Sequence, residues 1–363
     1  MLARKVLLVG VLGPVMLAGL VNQYRPHSSL GLFRESEAKL LTKHIKESSF
    51  TLRDVEISGS RYLHTLIVNE GQHNPELPNL VLVHGWSSGL ALWAKNVDHL
   101  AKHFNVYAVD LLGFGLSSRP GFPRAPNASP ERAKEFWVDS LHEWKLEVFG
   151  DEEIVLLGHS LGGFLACSYA LEKPEHLKRV ILAAPVGIAP WKFSNEGGYQ
   201  RKIVRFLIWT VGITPQFLLR VTGYFSKSLW QKVGVASNYR DLDEDGWEYL
   251  YQAQMGAPSG DRAFMNLLTQ DGWGNYSGLI LRESNLNYPG YPLLDKLKEM
   301  KVPGRIIYGA RDYVRPDIMP EVSQRTSLLD HRVISDAGHH MYWSHNLQFS
   351  DTIINFHPAP RKE

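Results

Sequence analysis

The sequence is poor in the features that mark several classes of protein. It holds one cysteine, Cys167, in 363 residues, so no internal disulfide can form and a bridged secreted scaffold is excluded. That thiol lies two turns beyond a glycine-bearing turn, where core packing is expected of it, and a reducing compartment is favoured. His339, His340 and His345 have no thiolate or carboxylate at ligand spacing, so neither a metal nor another cofactor is expected. With 39 basic against 37 acidic residues the net charge is +2. No basic run is long enough to track a phosphate backbone, which sets nucleic acid aside as a partner. The glycine loop Asp110-Leu-Leu-Gly113-Phe-Gly115-Leu-Ser117 does not match Gly-x-Gly-x-x-Gly, and no Gly-Lys-Ser follows it. Two common phosphate cradles are thereby excluded, and Asp110 reads as a turn-stabilising residue.

Long apolar runs are also scarce, with one short exception at the N-terminus. Arg4-Lys5 is followed by sixteen uncharged residues, Val6 to Val21. The run is shorter than the about 20 residues of a spanning helix and is interrupted by Gly10, Gly13, Pro14 and Gly19. Leu17-Ala18-Gly19-Leu20 is a poor cleavage site, so residues 1–24 are expected to be an uncleaved membrane anchor, an interfacial hairpin or a signal segment.

What is present is a dense alternation of short apolar runs and helical patterns. Ile154-Val-Leu-Leu-Gly158-His159-Ser160-Leu161-Gly162-Gly163 reads as strand, sharp turn and helix, with Ser160 at the turn, which is the Gly-x-Ser-x-Gly elbow. Alternating residues from Phe50 and from Tyr62 predict two antiparallel edge strands. Leu80 to Val83, Val106 to Val109, Arg179 to Ala184 and Val302 to Tyr308 read as buried strands separated by helical stretches such as Pro130 to Phe149. The pattern predicts an α/β fold with a mostly parallel sheet and right-handed crossovers. Core segments are expected at 50–186 and 292–356. Between 187 and 291 the strand rhythm stops, and a helical cap rich in aromatic residues is expected over the strand ends.

Ser160, Asp312 and His339 each follow a predicted strand, in the chain order serine, aspartate, histidine. Strand ends in such a sheet converge, so the three can share hydrogen-bond reach. Serine needs a base to take its proton during attack. His339 is the expected base, Asp312 the residue that holds its tautomer, and the amides of Leu161 and Trp86 the expected oxyanion donors. His340 is the second candidate base, and Asp336 or Asp317 the second candidate acids. His84 lies too early in the chain to be the base and reads as a residue orienting the Trp86 loop.

The segments His84-Gly85-Trp86, Asp110-Leu-Leu-Gly-Phe-Gly115, Gly158-His-Ser-Leu-Gly-Gly-Phe164, Pro258-Ser-Gly260, Tyr308-Gly-Ala-Arg311 and Ala337-Gly-His339 resemble α/β-hydrolase-domain proteins 4 and 5. That resemblance, over about residues 50 to 356, implies the α/β-hydrolase fold with a cap. It also implies lipid chemistry: an N-acyl-phosphatidylethanolamine lysophospholipase, or a lipid-droplet co-activator of adipose triglyceride lipase. The co-activator branch has asparagine at the nucleophile position, whereas Ser160 stands here, so a serine hydrolase of phospholipid acyl esters is expected. The alternative is a non-catalytic lipid-droplet adaptor with a lipase as partner. The family's His-x-x-x-x-Asp motif is absent, since Ser344 lies five positions after His339, so acyltransferase activity is not expected. An epoxide hydrolase would need an aspartate where Ser160 stands. The implied partners are a phospholipid or acylglycerol substrate and a membrane or lipid-droplet surface. The implied location is the endoplasmic reticulum or lipid droplet, with the secretory pathway as the alternative. Only in a lumenal body would Asn127-Ala-Ser129 and Asn275-Tyr-Ser277 be glycosylation sequons.

Overall fold

One eight-stranded sheet carries the architecture. Its strands are β1 (Phe50–Ile57), β2 (Arg61–Val68), β3 (Asn79–Val83), β4 (Asn105–Val109), β5 (Ile154–His159), β6 (Leu177–Ala183), β7 (Gly304–Gly309) and β8 (Leu329–Ile334). The computed structural model describes residues 30–124, 127–188, 216, 219–220, 242–267, 293–312 and 318–356. The expected anchor at 1–24, the Asn275 sequon, Asp317 and most of the expected cap lie outside the described residues.

The strand order is β1-β2-β4-β3-β5-β6-β7-β8. β1 and β2 form an antiparallel hairpin with Phe50 opposite Val68, and β2 pairs antiparallel with β4. All other neighbours are parallel. The apolar pattern accounts for this division: β3 and β5 are apolar apart from Asn79 at the start of one and His159 at the end of the other, and every residue in them is buried, whereas the edge strand β1 keeps polar residues half-exposed or exposed. Parallel order points the C-terminal ends of β3, β5, β7 and β8 to one edge. Trp86, Ser160, Asp312 and His339 all follow those ends.

Among the described residues the α-helices are α1 (Leu30–His44), α2 (Ala94–Leu100), α3 (Pro130–Phe149), α4 (Leu161–Glu172), α5 (Glu244–Gln254), α6 (Ser259–Leu267), α7 (Met319–Arg325), α8 (Met341–Ser344) and α9 (Asn346–Ile354). α3 is well specified locally. The Ser129 side chain caps it by accepting from the Arg132 amide at 3.1 Å, Pro130 supplies a fixed φ at the first position, and Gly150 ends it at φ 55°. Ala133, Trp137, Leu141 and Trp144 repeat every three or four residues and are buried. Both indoles are satisfied, Trp137 donating to Leu112 O at 2.9 Å and Trp144 to Thr65 Oγ1 at 2.9 Å. Within the expected cap, α5 packs on α1 and α6 packs on α3. Among the described residues no helix is long and apolar enough to cross a membrane.

α1 has no counterpart in the sequence reading. It buries Phe33, Leu40 and Leu41, and it carries Glu37 into the interior beside His64 of β2. His64 donates from Nε2 to Glu37 Oε2 at 3.0 Å and from Nδ1 to Asp54 Oδ1 at 2.5 Å. Burial alone would lower the imidazole, but the hydrogen bonds to Asp54 and Glu37 outweigh it and hold His64 up at about 10, against an ordinary 6.5. Because the folded value is the higher one, the folded protein retains a proton that the unfolded chain gives up between those values. The resulting stability is whole below about pH 6.5 and is lost as pH rises towards 10. Melting temperature is therefore expected to fall from pH 7 to pH 10. In Glu37→Gln, which removes one of the two anions, the fall is expected to move to lower pH. A melting temperature equally flat in both proteins over that range would contradict the charged His64.

Candidate active site

The elbow is built by close approach of backbone. Ser160 has φ 54° and ψ −110°, a conformation glycine adopts at little cost and other residues adopt only under constraint. Three hydrogen bonds impose it. The Ser160 amide donates to Ala183 O at 2.9 Å, while its carbonyl accepts from Phe164 N at 3.0 Å and Val186 N at 3.2 Å. The motif glycines are required by space. A Cβ on Gly158 would lie 1.9 Å from Gly162 O, and one on Gly162 would lie 2.5 Å from His84 O. Strand β5, helix α4 and the loop after β3 meet here with backbone against backbone. α4 starts at Leu161, whose amide has no acceptor within the helix and so points outward from the helix N-terminus.

His339 Nδ1 donates to Asp312 Oδ1 at 3.0 Å, with both side chains buried. A carboxylate can only accept, so this bond places the proton on Nδ1 and leaves the Nε2 lone pair for another group. The His339 loop is docked on the elbow, because His159, the residue before Ser160, donates from Nε2 to His339 O at 2.9 Å. The two imidazoles lie 4.7 Å apart between centroids. Burial, aggravated by His339, pushes His159 well below its ordinary value, so it acts as a neutral tether. Of the second candidates, His340 is buried with Nδ1 3.1 Å from the Tyr342 hydroxyl, and burial pushes it well below the ordinary histidine value. Asp336 is exposed and pairs with Arg311.

The loop after β3 closes the site from the other side. A Cβ on Gly85 would lie 3.1 Å from Ser160 Cβ, so the backbone leading into Trp86 abuts Ser160. His84 orients this loop: Nδ1 donates to Gly85 O at 2.7 Å, and Nε2 accepts from Leu111 N at 3.0 Å. Both ring nitrogens are thereby used in the neutral form. Burial lowers its pKa to about 4, consistent with a structural role. Asp110 sits beneath, accepting from Leu90 N and Leu116 N, each at 2.7 Å. Its complete burial, with the Glu37 charge nearby, raises it to about 6. Gly115, at φ 49°, leaves no room for a Cβ, which would lie 1.9 Å from Asp110 Oδ2. The glycine loop is thus a cradle for a carboxylate of the chain itself. Cys167 is fully buried and raised to about 12 by burial.

Two residues at this edge escaped the sequence reading. Arg119 is half-buried and donates to Gly115 O at 2.9 Å, Ala257 O at 2.8 Å and Ala253 O at 3.1 Å, clasping the end of α5 and the segment between α5 and α6 to the core. Asp261, in the first turn of α6, accepts from the Trp86 indole. The available signal was Asp261 directly after the quoted Pro258-Ser-Gly260 motif, a charge on the apolar side of a helix.

A model of the alpha/beta hydrolase fold matches residues 78–346. The chain is 30% identical over 330 residues to the human (lyso)-N-acylphosphatidylethanolamine lipase, covering 87% of this chain and 88% of that protein. It is also 30% identical over 329 residues to the 1-acylglycerol-3-phosphate O-acyltransferase ABHD5 of Sus scrofa, covering 83% and 86%. Among solved structures, a bacterial membrane phospholipase A superposes with TM-score 0.59 at 18% identity, covering 98% of this chain and 99% of that one. The carboxylesterase CesB of Bacillus subtilis does so with TM-score 0.57 at 18% identity, covering 89% and 96%. At such identities the likeness is one of fold. With its mostly parallel sheet, its serine at a strained turn and these relatives over most of its length, the chain belongs to the alpha/beta hydrolase fold family, in the group of the (lyso)-N-acylphosphatidylethanolamine lipases and ABHD5 proteins.

Proposed function

We propose that the protein is a serine hydrolase of phospholipid acyl esters, with lyso-N-acylphosphatidylethanolamine-type lipids as the substrate class. The observation that carries this reading is the docking of the His339–Asp312 pair on the elbow that strains Ser160. In the proposed cycle Ser160 Oγ bonds to the ester carbonyl carbon while His339 Nε2 takes the hydroxyl proton. The carbonyl oxygen becomes an oxyanion facing the amides of Leu161 and Trp86. Collapse breaks the bond to the alcohol oxygen, which leaves with the proton from His339. Water then attacks the acyl-enzyme with His339 again as base, releasing the fatty acid and restoring Ser160. The substrate class is supported by the lipase relatives and by the aromatic composition of residues 187–291. An N-terminal anchor holding the enzyme at a membrane surface fits the same reading.

The test is labelling of the purified protein by a fluorophosphonate probe, followed by fatty-acid release from a panel of phospholipids and lysophospholipids. Covalent labelling at Ser160 with release from at least one phospholipid is expected. A folded protein that takes no label would overturn the reading, and in that case stimulation of a separate triglyceride lipase that survives Ser160→Ala would replace it with an adaptor role.

A further inference from the structure

Trp86 is tied to the cap side of the molecule through its side chain. The indole Nε1 donates to Asp261 Oδ1 at 3.1 Å, and the indole stacks on Phe264 at 4.9 Å between centroids with 21° between planes. Asp261 and Phe264 are both on α6. The second oxygen of Asp261 accepts from the Arg220 guanidinium, and the Asp261 side chain is only 3% exposed. Backbone contacts fix the start of the same helix, since Gly260 N donates to Gly113 O at 3.3 Å and Gly113, at φ 85°, could not carry a Cβ without meeting Gly260. α6 is therefore rigidly seated, and the orientation of the indole is set from it rather than from the sheet.

Resting on the reading of the Trp86 amide as an oxyanion donor, we infer that Asp261 is a positioning residue for that amide. Two covalent steps separate the indole from its own backbone. A hydrogen bond at one end of a planar ring and a stack across its face together fix the side-chain torsions, and through them the rotation of the short loop between Gly85 and Ser88. An oxyanion donor works only within narrow limits of distance, and its alignment has to exist before the charge develops. Arg220 completes the device by holding the carboxylate in one orientation with both oxygens committed. One residue of the cap side thus bears on the chemical step, although it touches neither the nucleophile nor the ester.

The experiment is a double-mutant cycle on the full-length protein with Trp86→Phe, Asp261→Asn and the pair, reading kcat and KM for phospholipid hydrolysis and the rate of fluorophosphonate labelling. Phenylalanine retains the stack but has no N–H. Asparagine has one oxygen for two donors, so either the indole or Arg220 must lose its bond. Each single substitution is expected to lower kcat and the labelling rate by about tenfold, less than the loss of a whole oxyanion donor, with KM changed by less than about twofold. In the Trp86→Phe background Asp261→Asn is expected to have no further effect on kcat, because there is no indole left to position. Independent, multiplying effects, or a change confined to KM, would overturn the inference, as would unchanged kcat in both singles. Melting temperatures of all three variants separate a loss of packing from a loss of positioning. If Asp261→Asn does not fold, Trp86→Phe alone decides, since an unchanged kcat there leaves the indole bond without a catalytic role. Ser160→Ala serves as the control: residual full activity in it overturns the hydrolase reading itself, whereas activity lost there but kept in both positioning variants overturns only this inference.

Discussion

Ser160→Ala is expected to reduce phospholipid hydrolysis by about a million-fold and to abolish fluorophosphonate labelling, since removing the proposed nucleophile would leave only what binding and the oxyanion donors supply. The substitution removes one oxygen from a residue that is 8% exposed, and alanine keeps the same backbone demand. Folding stability should therefore be nearly unchanged. Ser160→Gly is the informative companion. At φ 54° and ψ −110° a side chain carries strain on the order of 1–3 kcal/mol, which glycine releases, while glycine's freer unfolded chain returns about 0.5–1 kcal/mol. The net expectation is a gain of about 1 kcal/mol in denaturant unfolding, together with the same loss of activity. A glycine variant less stable than wild type would mean that the turn is not strained. An alanine variant retaining activity would mean that Ser160 is not the nucleophile.

The same elbow explains why so much of this protein is legible in its sequence. Backbone-level constraints leave local signatures: short apolar runs in β3 and β5, a capped and glycine-terminated pattern for α3, small residues where Gly158 and Gly162 allow three chain segments to touch. The parallel order of the sheet follows from the alternation of such segments, and with it the clustering of Ser160, Asp312 and His339 at one edge. Side-chain pairings between remote elements leave no such trace. Glu37 finds His64 across 27 residues, and Trp86 finds Asp261 across 175. Each is a polar group on an otherwise apolar face, and a single sequence offers no way to choose its partner. α1 was hidden for a related reason. Its buried stripe of Phe33, Leu40 and Leu41 is short, and its remaining contacts, the Glu37–His64 pair and the Lys39 and Lys43 pairs with Asp243 and Asp245, are again remote side-chain pairings.

Asp312→Asn is expected to lower kcat by about ten-thousand-fold with little change in KM, although the two residues are nearly the same shape. In the present geometry Asp312 Oδ1 can only accept, so the His339 proton is held on Nδ1 and the Nε2 lone pair is the one that would take the serine proton in the proposed cycle. An amide in that place can turn its NH2 towards Nδ1. The histidine then carries its proton on Nε2 and has no lone pair to offer the nucleophile. The carboxylate charge that would stabilise the imidazolium formed during attack is lost at the same time. The second candidates provide the contrast. Asp336 lies exposed against Arg311, so Asp336→Asn is expected to leave kcat within about twofold, in the range of surface changes away from the chemistry. His340 Nδ1 lies against the Tyr342 hydroxyl, and His340→Gln is expected to lower kcat by less than about tenfold, through packing against His159 and His339. A kcat in Asp312→Asn within tenfold of wild type, with a large fall in His340→Gln or Asp336→Asn instead, would transfer the roles of base and acid to those residues. Unfolding curves of the three variants, recorded on the same preparations, would ensure that the ranking is one of chemistry and not of folded fraction.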